Sequence, residues 1–339
     1  MLRGNETMTM TKSTRRALLA GSAAVGIASM LPRRAAAQTV VLRWAENQAA
    51  THPAAQMIER VAKEVKEKAG GRVEIQGFPG GQLGGSRDVV EAVASGAITM
   101  TTEGAALLGQ FVPQLSIIEA PYIWKDAAHM QRALNSPLLE EMNKLLVERR
   151  GMRMIGVTYY GKRHLTTGNK AVRTVADMQG FKLRIPEVDT FRAMTEAWGA
   201  RATPLNFNEL YLALSQGAVD GQENPLPTIA AGKFNEVQKF LVLTGHIITP
   251  RLVMVNERAW NAVPANDRAI VKAAIDASAL WQDKEIVNQE ASLVDTFKKG
   301  GMTVIEPDVE SFRKPVLASV PGKFEAKWGK GLWERIEKL

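Results

Sequence analysis

Short apolar segments alternate with helical patterns along the first third of the chain, and this alternation constrains the fold more than any other feature. Residues 40–45 have the composition of a buried strand, and Thr51-His52-Pro53 then caps a helix with apolar residues at helical spacing. Further strands at 73–78 and 98–102 flank a helix at 89–94, with Ser86 as its expected N-cap. This alternation predicts an α/β protein with a parallel or mixed sheet and helices on its faces.

The same alternation resumes after a long helix predicted at about residues 126–150. Strands are expected at 152–160 and 182–185, followed by strand-like runs within 240–255. The helical pattern from Pro264 to Lys299 would extend for about 50 Å at roughly 1.5 Å per residue. A helix of that length exceeds one small lobe, so we expect it to bridge two lobes.

The first 37 residues have the features of an export signal. The pair Arg15-Arg16 precedes a short apolar run at 20–31, and Ala35-Ala36-Ala37 supplies the small residues that a signal peptidase requires. We expect export by a Tat-type or Sec-type route, with cleavage near Ala37. The alternative is an uncleaved amphipathic helix at the amino terminus. No later segment is long and apolar enough to span a bilayer, so the mature protein is not expected to be embedded in the membrane.

Removing the export signal changes the charge of the chain. The full sequence carries a net charge of +8, but the first 37 residues hold six basic residues and one acidic residue. The remaining 302 residues contain 37 basic and 34 acidic residues, a net charge of +3. So small an excess, without a basic cluster, predicts no nucleic-acid partner. The chain has no cysteine, so its stability must come from hydrophobic cores, and 302 residues are enough for two lobes.

The familiar catalytic and metal-binding motifs are incomplete in this sequence. The four histidines lack the spacing of metal ligands, and there is no cysteine to join them, so no metal site is predicted. The segment Gly84-Gly85-Ser86-Arg87-Asp88 lacks the last glycine of a nucleophile elbow. The segment 156–162 approximates a phosphate-binding loop, but Arg163 replaces the serine or threonine that would hold magnesium. We therefore expect no catalytic residue and no cofactor.

The segment 211–225 combines a short amphipathic helix with a polar, glycine-rich turn. Leu210, Leu212 and Leu214 are expected to pack the helix, and Gly217 to end it. The turn then finishes at Glu223-Asn224-Pro225. It is either a connection between elements or a place where amides and carboxylates reach a cleft.

Two arginines lie at positions where a guanidinium needs an anion. Arg163 is expected just after a strand, and Arg184 within the strand 181–186, on the opposite face from Leu183 and Ile185. The anion is either a protein carboxylate in a buried ion pair or the carboxylate of a ligand, which the planar fork would bind through two hydrogen bonds. The sequence alone leaves both readings open.

Five short motifs in order carry a family resemblance. They are Gln82-Leu83-Gly84, Gly161-x-Arg163, Leu183-Arg184-x-Pro186, Leu210-Tyr211-x-Ala213-Leu214 and Val219-Asp220-Gly221-Gln222-Glu223-Asn224-Pro225. Together, and after an export signal, they resemble the DctP-family solute-binding proteins of tripartite ATP-independent periplasmic (TRAP) transporters. The resemblance covers essentially the whole chain after residue 37.

The resemblance implies a type II-like periplasmic binding protein with mixed sheets, flanking helices, and a long helix crossing both lobes. Lobe I is expected to comprise residues 38–160 and about 250–290, and lobe II residues 161–249 and about 291–339. The lobes would close over the ligand by hinge motion. The implied partners are a small carboxylate ligand and the membrane permease subunits of the transporter, and the implied location is the periplasm.

The resemblance also implies roles for individual residues. Arg184 is expected to form the principal salt bridge to the ligand carboxylate, Arg163 to make a second cationic contact, and Asn224 to hydrogen-bond the same carboxylate. Around Asn47, Glu103, Phe207 and the turn 222–225, the sequence closely resembles the sialic-acid-binding branch, in which the first three positions bind or line the far end of the ligand. The neighbouring Gln222 and Glu223 are expected to hold the turn and the lobe interface rather than touch the ligand.

One position departs from the sialic-acid-binding branch. Glu187 stands where that branch has an amide, so Glu103 and Glu187 would place two carboxylates near the pocket. Two carboxylates disfavour a second ligand carboxylate and favour hydroxyl or ammonium groups. We therefore expect a monocarboxylate with hydroxyl or amino groups, with sugar acids and C4-dicarboxylates as the wider class. The alternative for Glu187 is an exposed residue stabilised at a helix N-terminus.

These observations favour a binding protein without enzymatic activity that captures a small organic acid for uptake driven by an ion gradient. The alternatives are an exported enzyme that acts on an organic acid and a sensory protein that reports occupancy to a membrane receptor. The incomplete catalytic motifs disfavour the enzyme.

Overall fold

The computed structural model describes residues 39–339, and the structural statements below concern this part of the chain. The predicted export signal, with its cleavage near Ala37, lies outside the described residues.

A mixed β-sheet runs through the described part of the chain. Its strands are β1 Val40–Ala45, β2 Val73–Phe78, β3 Met100–Gly104, β4 Met152–Thr167, β5 Lys182–Ile185, β6 Arg201–Pro204, β7 Gly221–Pro225, β8 Phe240–Asn256 and β9 Thr303–Ile305. They lie in the order β2-β1-β3-β8-β4-β7-β5-β6, and β9 pairs with β8. Parallel pairs form at both ends of the sheet, and the central pairs β3–β8, β8–β4 and β4–β7 are antiparallel. The prediction of a mixed sheet is confirmed.

Helices pack against this sheet. They are α1 Pro53–Lys68, α2 Ser86–Ser95, α3 Ala127–Leu134, α4 Pro137–Arg150, α5 Asp189–Ala197, α6 Leu210–Ser215, α7 Leu226–Ala231, α8 Glu257–Ala262, α9 Ala265–Lys299, α10 Val309–Trp328 and α11 Leu332–Glu337. His52 caps α1, as the sequence predicted, by accepting a hydrogen bond from the Ala54 backbone N–H, and Pro53 occupies the first turn. Helix α2 differs from the prediction, because its N-cap is Gly85 rather than Ser86.

The two longest strands, β4 and β8, connect the two ends of the sheet. Their pairing is interrupted by bulges, one of them between Tyr159 and Gly161, where Gly161 has a φ of +124°. Pro250, which has no N–H to donate, pairs with Tyr159 at that interruption. Beyond the bulge β4 continues to Thr167, so Arg163 lies within the strand and not, as the sequence predicted, just after it.

Helix α9 confirms the long helix predicted from the sequence and contributes to two separate hydrophobic cores. Its first half places Val271 and Ile275 in a core with Val61 of α1. Its far end places Phe297 in a core with Leu241 of β8. The helix therefore joins two hydrophobic cores on the sheet, one beside α1 and one beside β9.

The prediction of one continuous helix at 126–150 was wrong, because the structure contains two helices there. They are α3 and α4, and Asn135 and Ser136 separate them. Ser136 caps α4 by accepting a hydrogen bond from the Leu138 backbone N–H, and Pro137 occupies its first turn. A proline cannot continue the preceding helix, because it lacks the backbone N–H and its ring meets the carbonyl one turn earlier.

The segment 211–225 also differs from the prediction. Helix α6 buries Leu210 and Leu214, four residues apart, whereas Leu212 projects from the other face and is 58% exposed. Gly217 follows the helix with a φ of +68°, as expected. The polar residues that the sequence placed in a turn instead form β7, which lies between β4 and β5 inside the sheet.

Candidate functional site

A cleft opens beside the central strands. All seven residues that the sequence predicted as ligand contacts line it: Asn47, Glu103, Arg163, Arg184, Glu187, Phe207 and Asn224. They come from segments far apart in the sequence, which the order β3-β8-β4-β7-β5 brings to one place. Their function as ligand contacts stays a prediction.

Arg184 is a buried cation that has no carboxylate partner among residues 39–339. Its side chain lies in β5 and is 3% exposed. Nε and Nη2 donate to the carbonyl oxygen of Leu205, at 3.0 and 2.6 Å, and Nη1 donates to no residue within 39–339. Burial lowers the pKa of Arg184 to about 10 because the low-dielectric surroundings disfavour its charge. The guanidinium therefore has unused capacity to hold an anion in the cleft.

Arg163, by contrast, forms a buried ion pair with a protein carboxylate. Its Nη2 lies 2.8 Å from Glu223 Oε1, and its Nε donates to Glu223 Oε2. The His246 ring nitrogen Nε2 lies 3.0 Å from the same Oε2. Burial raises the pKa of Glu223, but Arg163 and His246 outweigh that effect and leave the pKa below its ordinary value. The positive charge of Arg163 is thus already offset before any ligand binds.

Asn224 is oriented by its neighbours in the sheet. Its Oδ1 accepts from Arg163 Nη2 at 3.0 Å, and its Nδ2 donates to Gln222 Oε1. The side chain lines the cleft, but its donor group is directed at Gln222. In this arrangement Gln222 and Glu223 act as supports for Asn224 and Arg163.

The far wall of the cleft contains a second hydrogen-bonded group. Asn47 Nδ2 donates to Glu103 Oε1 at 2.8 Å and to Ser86 Oγ at 2.6 Å. The hydroxyl of Ser86 therefore contributes to this wall instead of capping α2. Burial raises the pKa of Glu103 to about 7, although Arg251 opposes the shift.

Phe207 and Glu187 lie at the edge of the cleft. The Phe207 ring packs edge to face on Phe234, with 5.8 Å between ring centroids, and faces the Arg184 guanidinium at 5.9 Å. Glu187 precedes α5 and is exposed, yet it also lines the cleft. Both descriptions that the sequence offered for Glu187, a pocket residue and an exposed residue near a helix N-terminus, fit its position.

Sequence reasoning missed two charged residues in the walls of the cleft, Arg251 and Glu119. Arg251 in β8 forms an ion pair with Glu46, its Nη1 lying 2.9 Å from Oε1. Glu119 ends a short 3-10 helix, Pro113–Glu119. Arg251 and Glu119 could have been found in the same way as Arg184, because each is a single charged residue within an apolar stretch of the sequence.

Comparison with known proteins identifies the family. Residues 44–325 match the model of the DctP family, described as bacterial extracellular solute-binding protein, family 7. The chain belongs to this family. It is thus a solute-binding protein of the TRAP type, from a family of binding proteins rather than enzymes, and the resemblance drawn from its motifs is confirmed.

Relatives of this solute-binding protein support the assignment. The sialic acid-binding periplasmic protein SiaP of Vibrio cholerae is 31% identical over 279 residues, which cover 82% of this chain and 86% of SiaP. A TRAP periplasmic solute-binding protein from Roseobacter denitrificans was solved with bound 3-deoxy-D-manno-oct-2-ulosonic acid. It is 31% identical to this chain with a TM-score of 0.83, and the match covers 88% of this chain and 99% of the Roseobacter chain. A protein of the same kind from Polaromonas, bound to D-erythronate, is 30% identical with a TM-score of 0.84 and the same coverage.

These similarities confirm the two-lobed periplasmic binding protein fold. The lobe boundaries inferred from the sequence stay a prediction. Within residues 39–339, the solute-binding protein has no group of three or more histidine, aspartate or glutamate side chains arranged to hold a metal ion. A search of the same residues finds no helix with the length and apolar character needed to cross a membrane.

Proposed function

We propose that this protein captures a small monocarboxylic acid bearing several hydroxyl groups, such as a sugar acid, and delivers it to the permease subunits of a TRAP transporter. It does so without chemical conversion of the ligand. The observation that carries the proposal is the buried Arg184, which has no carboxylate partner among residues 39–339 and faces the cleft. A ligand carboxylate would supply the missing counter-charge.

The energetics favour this role for Arg184 over the other two arginines of the cleft. Arg163 is neutralised by Glu223 and Arg251 by Glu46, so a carboxylate placed beside either would add to an ion pair that is already complete. Beside Arg184 it would instead form a charge-assisted hydrogen bond in a site of low dielectric. Such bonds contribute roughly 1.5–3 kcal/mol net.

The ligands of related proteins fit the same chemistry. Sialic acid, 3-deoxy-D-manno-oct-2-ulosonic acid and D-erythronate, named for the relatives above, each carry one carboxylate and several hydroxyl groups. The acidic far wall of the cleft, with Glu103 and Asn47, offers acceptors for such hydroxyls.

The remaining steps of the proposal concern the whole transporter. Residues 1–37 would direct export and be removed near Ala37, which leaves the protein in the periplasm. Lobe I (38–160 and about 250–290) and lobe II (161–249 and about 291–339) would close over the ligand, and the closed form would dock on the permease.

A thermal-shift screen tests the ligand class. The panel contains aldonates, uronates, sialic acids, C4-dicarboxylates and amino acids, each with calorimetric confirmation. We expect polyhydroxy monocarboxylates to raise the melting temperature most, since a ligand at 100 times its dissociation constant stabilises the folded state by about 2.7 kcal/mol. Failure of every carboxylic acid to bind, or conversion of a bound acid detected by mass spectrometry, would contradict the proposed function.

A further inference from the structure

Glu119 is a second charged group that faces the cleft without an ion-pair partner. It is 5% exposed and lines the same cavity as Arg184. Its Oε2 accepts a hydrogen bond from the Ala106 backbone N–H at 3.0 Å. Its Oε1 accepts from no residue within 39–339, so half of this buried carboxylate is available to a molecule in the cleft.

Each of the other buried carboxylates around the cleft has a side-chain partner, whereas Glu119 has only the Ala106 backbone N–H. Glu46 pairs with Arg251, Glu223 pairs with Arg163, and Glu103 accepts from Asn47. Arg163 and Arg251 act on Glu119 electrostatically, but their hydrogen-bonding groups are directed at those other partners. Glu119 therefore has no cation within ion-pair distance in the described chain, and its Oε1 faces the cleft rather than a protein donor.

The backbone leaves room for this carboxylate. Gly104, at the end of β3, has a φ of −64°, which any residue can adopt. The backbone conformation therefore does not require a glycine at this position. A Cβ atom at this position would lie 2.5 Å from Glu119 Oε2. The absent side chain thus lets the carboxylate sit against the strand and reach the Ala106 N–H.

We propose that Glu119 is the specificity-determining residue that accepts a hydrogen bond from a ligand hydroxyl and thereby selects hydroxy acids over unsubstituted acids. This inference rests on the proposed function, in which Arg184 holds the ligand carboxylate. The cleft then offers the Arg184 guanidinium as a donor at one wall and Glu119 Oε1 as an acceptor at another. A hydroxy acid can bind both at once, the first through its carboxylate and the second through a hydroxyl. A carboxylate can only accept hydrogen bonds, so an alkyl group in the same place leaves it unpaired.

The test compares two ligands in two proteins. The ligands are the tightest-binding aldonate of the panel and the unsubstituted alkanoate with the same number of carbons, whose weaker binding is measured by competition. In Glu119→Gln, the amide oxygen can keep the Ala106 hydrogen bond, which turns the NH₂ donor toward the cleft. We expect the aldonate to bind about tenfold to a hundredfold more weakly, and the alkanoate to change less than about twofold.

The pH dependence gives a second readout. Burial raises the pKa of Glu119 to about 7, against the opposing effect of Arg163. The groups that face it are Arg163 in β4, Glu223 in β7, Arg251 in β8 and Glu103 in β3. Because only the ionised form is a full acceptor, aldonate affinity should rise as pH increases from about 6 to 8. This rise should be smaller in Glu119→Gln, because Glu103 is then the only carboxylate lining the cleft, among residues 39–339, whose pKa is raised to about 7.

A second variant protects the test against a failure to fold. Gly104→Ala keeps the charge of Glu119, but its methyl group must displace the flexible end of that side chain. It should weaken aldonate binding while leaving alkanoate binding unchanged. Equal losses for both ligands, or unchanged aldonate affinity in Glu119→Gln, would overturn the role of Glu119 and leave the proposed function intact. If no acid binds the wild-type protein, the proposed function itself fails.

Discussion

Arg184→Ala is expected to weaken the binding of a polyhydroxy monocarboxylate by tenfold or more, and Arg184→Lys by a comparable factor. The variant removes the buried cation of the cleft that has no protein carboxylate beside it. A hydrogen bond between charged groups is worth roughly 1.5–3 kcal/mol, which corresponds to about a tenfold to hundredfold change in the dissociation constant. Lysine keeps the charge but lacks the planar fork that donates to Leu205 and to an anion together.

Isothermal titration calorimetry with the best ligand of the panel measures this effect. The matched control is Arg201→Ala, which removes the same charge from an exposed position on the adjacent strand β6. The control should bind as the wild-type protein does. Wild-type affinity in both Arg184 variants would refute a carboxylate-binding role for this residue.

Glu223→Ala is expected to lower the free energy of unfolding by about 3–5 kcal/mol. The substitution leaves the Arg163 guanidinium buried without its counter-charge and removes the partner of His246. Breaking a buried ion pair by deleting one member is strongly destabilising, because the remaining charge has lost its water and gains nothing in exchange. Urea denaturation of the unliganded protein measures the loss.

The control for this prediction is an ion pair at the surface. Glu141 pairs with Arg335 at 3.0 Å, and the two side chains are 54% and 47% exposed. Glu141→Ala should cost less than about 1 kcal/mol, since water and salt screen an exposed pair. Similar losses in Glu141→Ala and Glu223→Ala would show that the buried pair does not stabilise the fold as its geometry suggests.

The two arginines of the predicted site thus have different surroundings. Both were expected near a ligand carboxylate, and both line the cleft. Only Arg184 lacks a protein carboxylate, whereas Arg163 has one on the neighbouring strand. The sequence left open whether each arginine pairs with a protein carboxylate or binds a ligand carboxylate. In the described chain Arg163 has the protein partner, and Arg184 is the arginine that is left to bind a ligand.

Local patterns in the sequence predicted most elements, although not all of their ends. The strands at 40–45 and 73–78 and the long helix near 265–299 were recognisable because their apolar residues recur with the period of the element. The break between α3 and α4 was also encoded locally, by the capping serine and proline at 136 and 137. The extension of β4 to Thr167 was not, because it depends on pairing with β7 and β8.

The sequence by itself determined the α/β class, the family and seven of the residues that line the cleft, since each depends on spacing, composition or short motifs. The tertiary structure alone decided which charges are paired. Strand order places Glu223 of β7 beside Arg163 of β4 and Glu46 beside Arg251 of β8, and it brings no carboxylate of the described chain to Arg184. The Coulomb energy of a pair depends on the distance between its charges and on their burial. Residues that are tens to hundreds of positions apart in the sequence become close to one another and buried only when the sheet assembles.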